Sequence, residues 1–316
     1  MNFEHDMAAR LSDADPTVRR LAVLDLPYSD EDDIAPLLVT ALSDPDASVR
    51  AEAAKALEGY EEDETVAPLA RLLVDQDASV RAAAGDTLAE LKTTAAGRHL
   101  LPYLSGEPET MMRALRAIRA LRLPEALEPA IALIAHGDAG VRREAAGVLG
   151  YLKHSDALPV LATAASYDSD ADVRRIAVGA LGFANDVNVL PALTRALRDE
   201  QWKVREEAAQ TIGKLQGKAA TPELIAVLSD PFWQVRLKAV RSLGLLKAAA
   251  AALPIIEQLT HEVGNLRKES VIALGEIGDP VAIPALEAAG GDPDPDVRKL
   301  ARLALTSIDL AKRNPS

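Results

Sequence analysis

The side chains in this 316-residue chain that could ligate a metal through nitrogen are five histidines, His5, His99, His136, His154 and His261. They lie far apart in the sequence, and only His261-Glu262 forms a His-Glu pair. No His-Glu-x-x-His occurs, in which two imidazoles one helical turn apart would hold zinc. Gly-x-Ser-x-Gly and a Gly-rich phosphate loop are equally missing. Cysteine is absent, which excludes disulfides, thiolate ligands and a cysteine nucleophile. The reading is therefore no catalytic residue, no metal site and no cofactor. A cysteine-free chain also suits a reducing, cytoplasmic setting.

Arginine is the residue that recurs. An apolar–Arg pair appears at Val18-Arg19, Val49-Arg50, Val80-Arg81, Met112-Arg113, Val141-Arg142, Val173-Arg174, Val204-Arg205, Val235-Arg236, Leu266-Arg267 and Val297-Arg298. The steps between these arginines are 31, 31, 32, 29, 32, 31, 31, 31 and 31. A fixed period near 31 residues marks a repeat architecture. Positions below are counted from this arginine, r.

Each unit reads as two helices joined by a turn. Asp at r−4 (Asp15, Asp46, Asp77, Asp138, Asp170, Asp294) is a natural N-cap for the second helix. Small or apolar residues fill r+3, r+4 and r+7, as in Ala53, Ala54 and Leu57, or Ala208, Ala209 and Ile212. These three positions form one stripe of about 100°, which a helix pair cannot bury alone, so successive pairs must stack. Glycine follows at r+8 (Gly150, Gly182, Gly213, Gly244, Gly275) and reads as a helix stop.

Composition agrees: 48% apolar residues with only 3% aromatic describe an Ala/Leu-rich helical protein. The net charge is −13, and residues 1–100 carry −12 of it, from 21 acidic and 9 basic side chains. Such acidity speaks against nucleic-acid binding, which rests on phosphate neutralisation. The longest apolar run, Ala248 to Ile256, is far below the roughly 20 residues a membrane span needs. The opening residues show no basic segment followed by an apolar one, so no signal peptide is expected.

The pattern Asp-x-Asp-x-x-Val-Arg-x-x-Ala-x-x-x-Leu-Gly resembles the HEAT-like repeat of the phycobilisome-lyase type. That resemblance implies an all-α, right-handed α-solenoid of ten units, with second helices lining a concave surface. A single solenoid over 1–316 is expected, with acidic repeats about 1–104, an irregular repeat about 105–123 and C-terminal repeats about 124–316. It further implies a structural ladder in which Arg19, Arg50, Arg81, Arg142, Arg174, Arg205, Arg236 and Arg298 meet carboxylates of the turns. Asp or Glu at r−6 fits this except where His136 and His261 stand. Bilin lyases are the enzymatic alternative that the resemblance brings. Its metal-dependent hydroxylases are a remoter one, since they use paired His-Glu dipeptides and this chain has one.

Three local features stand out. Arg113, Arg116, Arg119 and Arg122 fan over the second helix of the fourth unit, a candidate contact for an anion or acidic partner. Two acidic runs, Asp30–Asp33 and Glu61–Glu64, lie one repeat apart and precede first helices, where acids favour the helix dipole. Trp202 and Trp233 occupy r−3 in consecutive units, so their rings are expected to be neighbours on adjacent helices; Phe232 adjoins the second, and Tyr151 and Phe183 occupy r+9. Lys203, Lys238 and Arg241 stand among them. Aromatic anchors flanked by cations suit a protein partner with apolar and acidic groups, and the function expected is a non-enzymatic scaffold or adaptor that binds its partner on the concave surface, with repeats five to eight as the favoured site.

Overall fold

The computed structural model describes residues 3–29, 33–184 and 187–313. Residues 30–32 of the first acidic run lie outside them. The described residues form twenty α-helices and thirteen short 3-10 helices, with no strand. None of these helices is long and apolar enough to cross a membrane. The chain divides into two compact units, Met1–Leu152 and Lys153–Ser316.

The same local plan builds each unit. In the C-terminal unit the second helices are Ala171–Ala180, Trp202–Lys214, Trp233–Leu245, Gly264–Ile277 and Pro295–Arg313, and each packs on the next. In the N-terminal unit they are Pro16–Asp25, Ala47–Ala56, Ala78–Leu88, Pro108–Ile118 and Ala139–Leu152. First helices are short. Many enter through a 3-10 turn that ends on a fully buried alanine, as at Ala157, Ala251 and Ala282. This is the all-α stack of helix pairs that the periodicity implies.

The r+3, r+4 and r+7 stripe is the core. Ala53, Ala54, Ala145, Ala146, Leu149, Ala208, Ala209, Ile212, Ala239, Val240 and Leu243 are all fully buried. The apolar residue at r−1 is as deep: Val80, Val141, Val173 and Val235 show no exposed surface. Asp15, Asp46, Asp77 and Asp170 cap the first-turn amides of their second helices with their carboxylates.

Four of the five glycines at r+8 do not stop helices; Gly182 lies past its helix end, in the 3-10 turn Leu181–Phe183. Gly150, Gly213, Gly244 and Gly275 lie inside their helices, and the chain leaves the helix three residues later, at r+11, where Lys153, Gln216, Lys247 and Gly278 take the left-handed conformation. Glycine at r+8 serves close packing instead. A Cβ on Gly213 would stand 2.7 Å from Ser242 Cβ, on Gly244 2.9 Å from Ala273 Cα, and on Gly275 2.9 Å from Ala304 Cβ. Each glycine is therefore the seat for residue r+6 of the next second helix. At the first of these seats Ser242 Oγ also donates a buried hydrogen bond of 2.7 Å to the Ala209 carbonyl.

The fourth unit also differs from its expected register. Its buried stripe is Thr110, Ala114, Leu115 and Ile118, which is the r−1, r+3, r+4, r+7 pattern counted from Met111. Glu107 is its N-cap residue and Arg122 its left-handed terminator, at the matching r−4 and r+11. Position r there is Met111, so the steps around it are 30 and 31 rather than 32 and 29. Leu115 and Ile118 are core residues. Met112-Arg113 imitates the recurring dipeptide two residues out of register.

Candidate functional site

The arginines at r run along the turns and join consecutive repeats. Arg174 places Nε and Nη2 on the two oxygens of Asp199, at 2.7 and 2.9 Å, while its Nη1 donates to the Asp168 and Ser169 carbonyls. Arg19 holds Asp44, Arg50 holds Asp75, Arg205 holds Asp230 and Arg267 holds Asp292 in the same way. Each aspartate is at r−6 of the following repeat, 25 residues on. Its Oδ1 also accepts the amide two residues later, as from Asp46 to Asp44 and from Gln201 to Asp199. One carboxylate thus closes its own turn and ties it to the preceding helix. The Arg19 guanidinium holds the Asp44 carboxyl below the usual carboxylate range, and Arg267 does the same for Asp292. At Asp199 burial, the largest single effect, pushes the carboxyl up, but the Arg174 bonds, the Gln201 amide and the nearby charges of Arg174 and Arg205 together bring the net direction down.

The ladder departs from this rule where the r−6 carboxylate is missing. Arg81 faces the fourth repeat, whose r−6 residue is Ser105, and reaches Glu109 with a single contact of 3.2 Å. Arg142 is not one of these departures, since Asp168 stands at r−6 of the next repeat; its Nη1 donates to the His136 and Gly137 carbonyls. Arg298, in the last repeat, donates to the Asp292 and Pro293 carbonyls. Arg236 faces His261 and meets no carboxylate among the described residues; its Nε donates to the Asp230 carbonyl. Before His136 position r holds Met111 and before His261 it holds Arg236, so the unmatched ladder arginine is Arg236, while Arg267, in the same repeat as His261, has a complete pair. At both breaks the imidazole takes over the turn: His136 Nδ1 accepts the Asp138 amide and His261 Nδ1 the Val263 amide, each at 3.0 Å. His99 pairs with Asp63 at 2.9 Å. Among the described residues no three histidine, aspartate or glutamate side chains gather to hold a metal ion.

The arginine fan finds acids within the chain. Arg113 bonds Glu109 at 3.0 Å, and its stem packs on Gly85. Arg116 and Arg119 converge on the buried Glu144 at 3.1 and 3.4 Å, and Arg119 lies 6.0 Å from the Tyr151 ring. The second acidic run is also engaged: Glu61 accepts the Lys92 and Thr93 amides, both at 2.9 Å.

The aromatic candidates separate into places. Trp202 is the first residue of its helix and Phe232 the N-cap of the next second helix. Their rings stack with centroids 5.4 Å apart and planes at 12°. Trp202 therefore meets Phe232, the residue before Trp233. Lys203 stands 5.8 Å from the Trp202 ring and the Arg205 guanidinium 5.8 Å from the Phe232 ring. Phe232 is 41% exposed, and both tryptophans are half-buried. This cluster lies on the edge where the turns and the ladder run. Phe183 is half-buried at the opposite, C-terminal end of a second helix, and ten residues of helix separate the two ends by about 15 Å. Tyr151, 46% exposed, belongs to the N-terminal unit. Lys238 and Arg241 lie farther along the helix, where Arg241 approaches Glu269 at 3.8 Å. Burial pushes the Glu269 carboxyl up, and Glu276 adds to this against the pull of Arg241 and Lys238.

One feature was not singled out in the sequence. Tyr167 is 70% exposed at the end of a first helix, with Arg195 stacked 4.6 Å from its ring. The pair lines a cleft of about 790 Å³ between first helices. An aromatic at r−7, just before the ladder aspartate Asp168, was the available signal.

A family model described as HEAT repeats matches residues 6–89, 35–119, 97–182, 159–228 and 221–306. No curated protein matches the chain significantly. Among solved structures, an engineered protein is 21% identical with a TM-score of 0.59, covering 98% of this chain and 99% of that one. YibA of Escherichia coli is 17% identical with a TM-score of 0.54, over 91% and 95%. A chain from the structure of Kap95p bound to RanGDP is 13% identical with a TM-score of 0.64, covering 96% of this chain and 50% of that one. At these identities the likeness is one of fold.

Proposed function

The chain belongs to the HEAT-repeat family, and we propose that it is a non-enzymatic scaffold that holds a protein partner along the turn edge of repeats seven and eight. The observation that carries this reading is the stacked pair Trp202–Phe232. A ring 41% exposed, backed by a second ring and flanked by Lys203 and Arg205, offers a rigid apolar platform with cations at its rim. Such platforms act as anchors because aromatic rings bury much surface while losing little side-chain freedom. The ladder keeps both rings in place, since Arg205 holds Asp230 and Asp230 in turn accepts the Phe232 amide at 2.9 Å. A cytoplasmic location, suited to a cysteine-free chain, is part of the same proposal.

The test places the photo-cross-linker p-benzoylphenylalanine at position 203 and, as control, at position 28. Mass spectrometry identifies the product, and the purified partner is then bound to the purified protein. Cross-links at 203 to a protein that binds in the reconstituted system support the reading. Cross-links at 28 alone contradict it. A stoichiometric visible absorption band on mixing with a free bilin, lost in Trp202→Ala, would replace the scaffold by a bilin-handling subunit, the role that the lyase resemblance suggests.

A further inference from the structure

The eighth repeat holds a ladder arginine without its carboxylate. In the C-terminal unit Arg174, Arg205 and Arg267 each spend Nε and Nη2 on an aspartate and Nη1 on turn carbonyls. Arg236 has His261 where the aspartate belongs. Its guanidinium is turned, so that Nε takes the Asp230 carbonyl. Both Nη groups are then left without a partner among the described residues, and neither is enclosed. Arg81 meets a similar gap but fills it with Glu109; Arg236 has no such substitute.

A second, independent feature lies at the same turn. The N-cap position of the 13-residue helix Trp233–Leu245 is Phe232, which supplies no side-chain acceptor to the first-turn amides. Asp77 and Asp170 do so at the same position in their repeats. The turn therefore presents an uncapped positive helix end and four unused guanidinium N–H groups. His261 adds no competing anion: Nδ1 accepts the Val263 amide, which leaves the proton of the neutral ring on Nε2. The Trp202–Phe232 stack borders this turn.

We propose that Arg236 is a socket for a carboxylate of the partner, an aspartate or glutamate side chain next to an apolar residue that lies on the Trp202–Phe232 stack. The inference rests on the docking reading above and names the chemistry of its occupant. Electrostatic and shape requirements meet here: a planar fork accepts a carboxylate in two parallel bonds, and the rings take the neighbouring apolar side chain.

The test titrates the full-length protein with the blocked peptide Ac-Phe-Asp-Glu-NH2 and its neutral counterpart Ac-Phe-Asn-Gln-NH2, followed by NMR of arginine Nε–H and tryptophan indole N–H signals. The acidic peptide is expected to shift the Arg236 Nε–H signal and to bind about tenfold more tightly than the neutral one. Arg236→Gln should remove that advantage. His261→Asp should remove it as well, by restoring the internal rung, while raising thermal stability. That variant keeps the test valid should Arg236→Gln fold poorly. Equal affinity for the two peptides, an unchanged advantage in His261→Asp, or no binding of the acidic peptide at millimolar concentration would overturn the socket. A Trp202 indole shift with the neutral peptide would leave the aromatic docking reading standing in that event, and its absence with both peptides would count against the docking reading too.

Discussion

Arg174 and Asp199, 25 residues apart, meet through two parallel hydrogen bonds of 2.7 and 2.9 Å, with each side chain only 9% exposed. The pair links two repeats and closes a turn at once. Arg174→Ala leaves a buried carboxylate and two turn carbonyls short of donors, and should cost about 1–3 kcal/mol of unfolding free energy. Arg81→Ala should cost less, because its single 3.2 Å contact is to a half-exposed Glu109. Urea denaturation of both variants checks the order; equal losses would contradict it.

The glycine seats give a prediction opposite to helix propensity. Gly244→Ala adds a better helix former, yet its Cβ would stand 2.9 Å from Ala273 Cα. Overpacking of this kind should cost about 1–3 kcal/mol. Gly137, with open space around it and no left-handed backbone, should tolerate alanine with a gain of about 0.4–1 kcal/mol. Thermal melts of the two variants should move in opposite directions.

The ladder predicts acid sensitivity of definite sign. Asp44 and Asp292 have carboxyls held below their ordinary value by Arg19 and Arg267. A depressed folded value gives stability that is present above the unfolded value of about 3.9 and is lost as pH falls through the folded one. Denaturation midpoints should hold from pH 7 to about 5 and drop below about 4. The double variant Asp44→Asn, Asp292→Asn should be less stable at pH 7 and lose less on acidification. An acid slope unchanged in that variant would assign the effect to other carboxylates.

The buried stripe was readable from the sequence because burial at r+3, r+4 and r+7 repeats with the chain's own period, and alanine pairs such as Ala208-Ala209 leave little choice of face. The ladder was implied by the family resemblance, which the acids at r−6 fitted, but its direction was not legible. Only the fold shows that Arg236 looks forward to His261 while Arg267 looks forward to Asp292. Repeat four misled because Met112-Arg113 has the right residue types two positions late; the N-cap at Glu107 and the burial of Leu115 decide the register. Glycines at r+8 read as stops because a contact with the next repeat leaves no mark in local sequence. The partner of Trp202 was hidden for the same reason. Equal repeat positions suggested Trp233, whereas the neighbouring turn brings Phe232 against the ring.

The Trp202–Phe232 edge is the proposed docking surface. The most direct measurement is the affinity of the purified partner for wild type and Phe232→Ala, with melting temperatures taken on the same samples. Phe232 is 41% exposed and makes no side-chain cap, so truncation should leave the fold almost unchanged. Affinity should fall about thirtyfold, the loss of about 2 kcal/mol typical of an anchoring aromatic. A lowered melting temperature with unchanged affinity would contradict the account and make the stack a packing element alone.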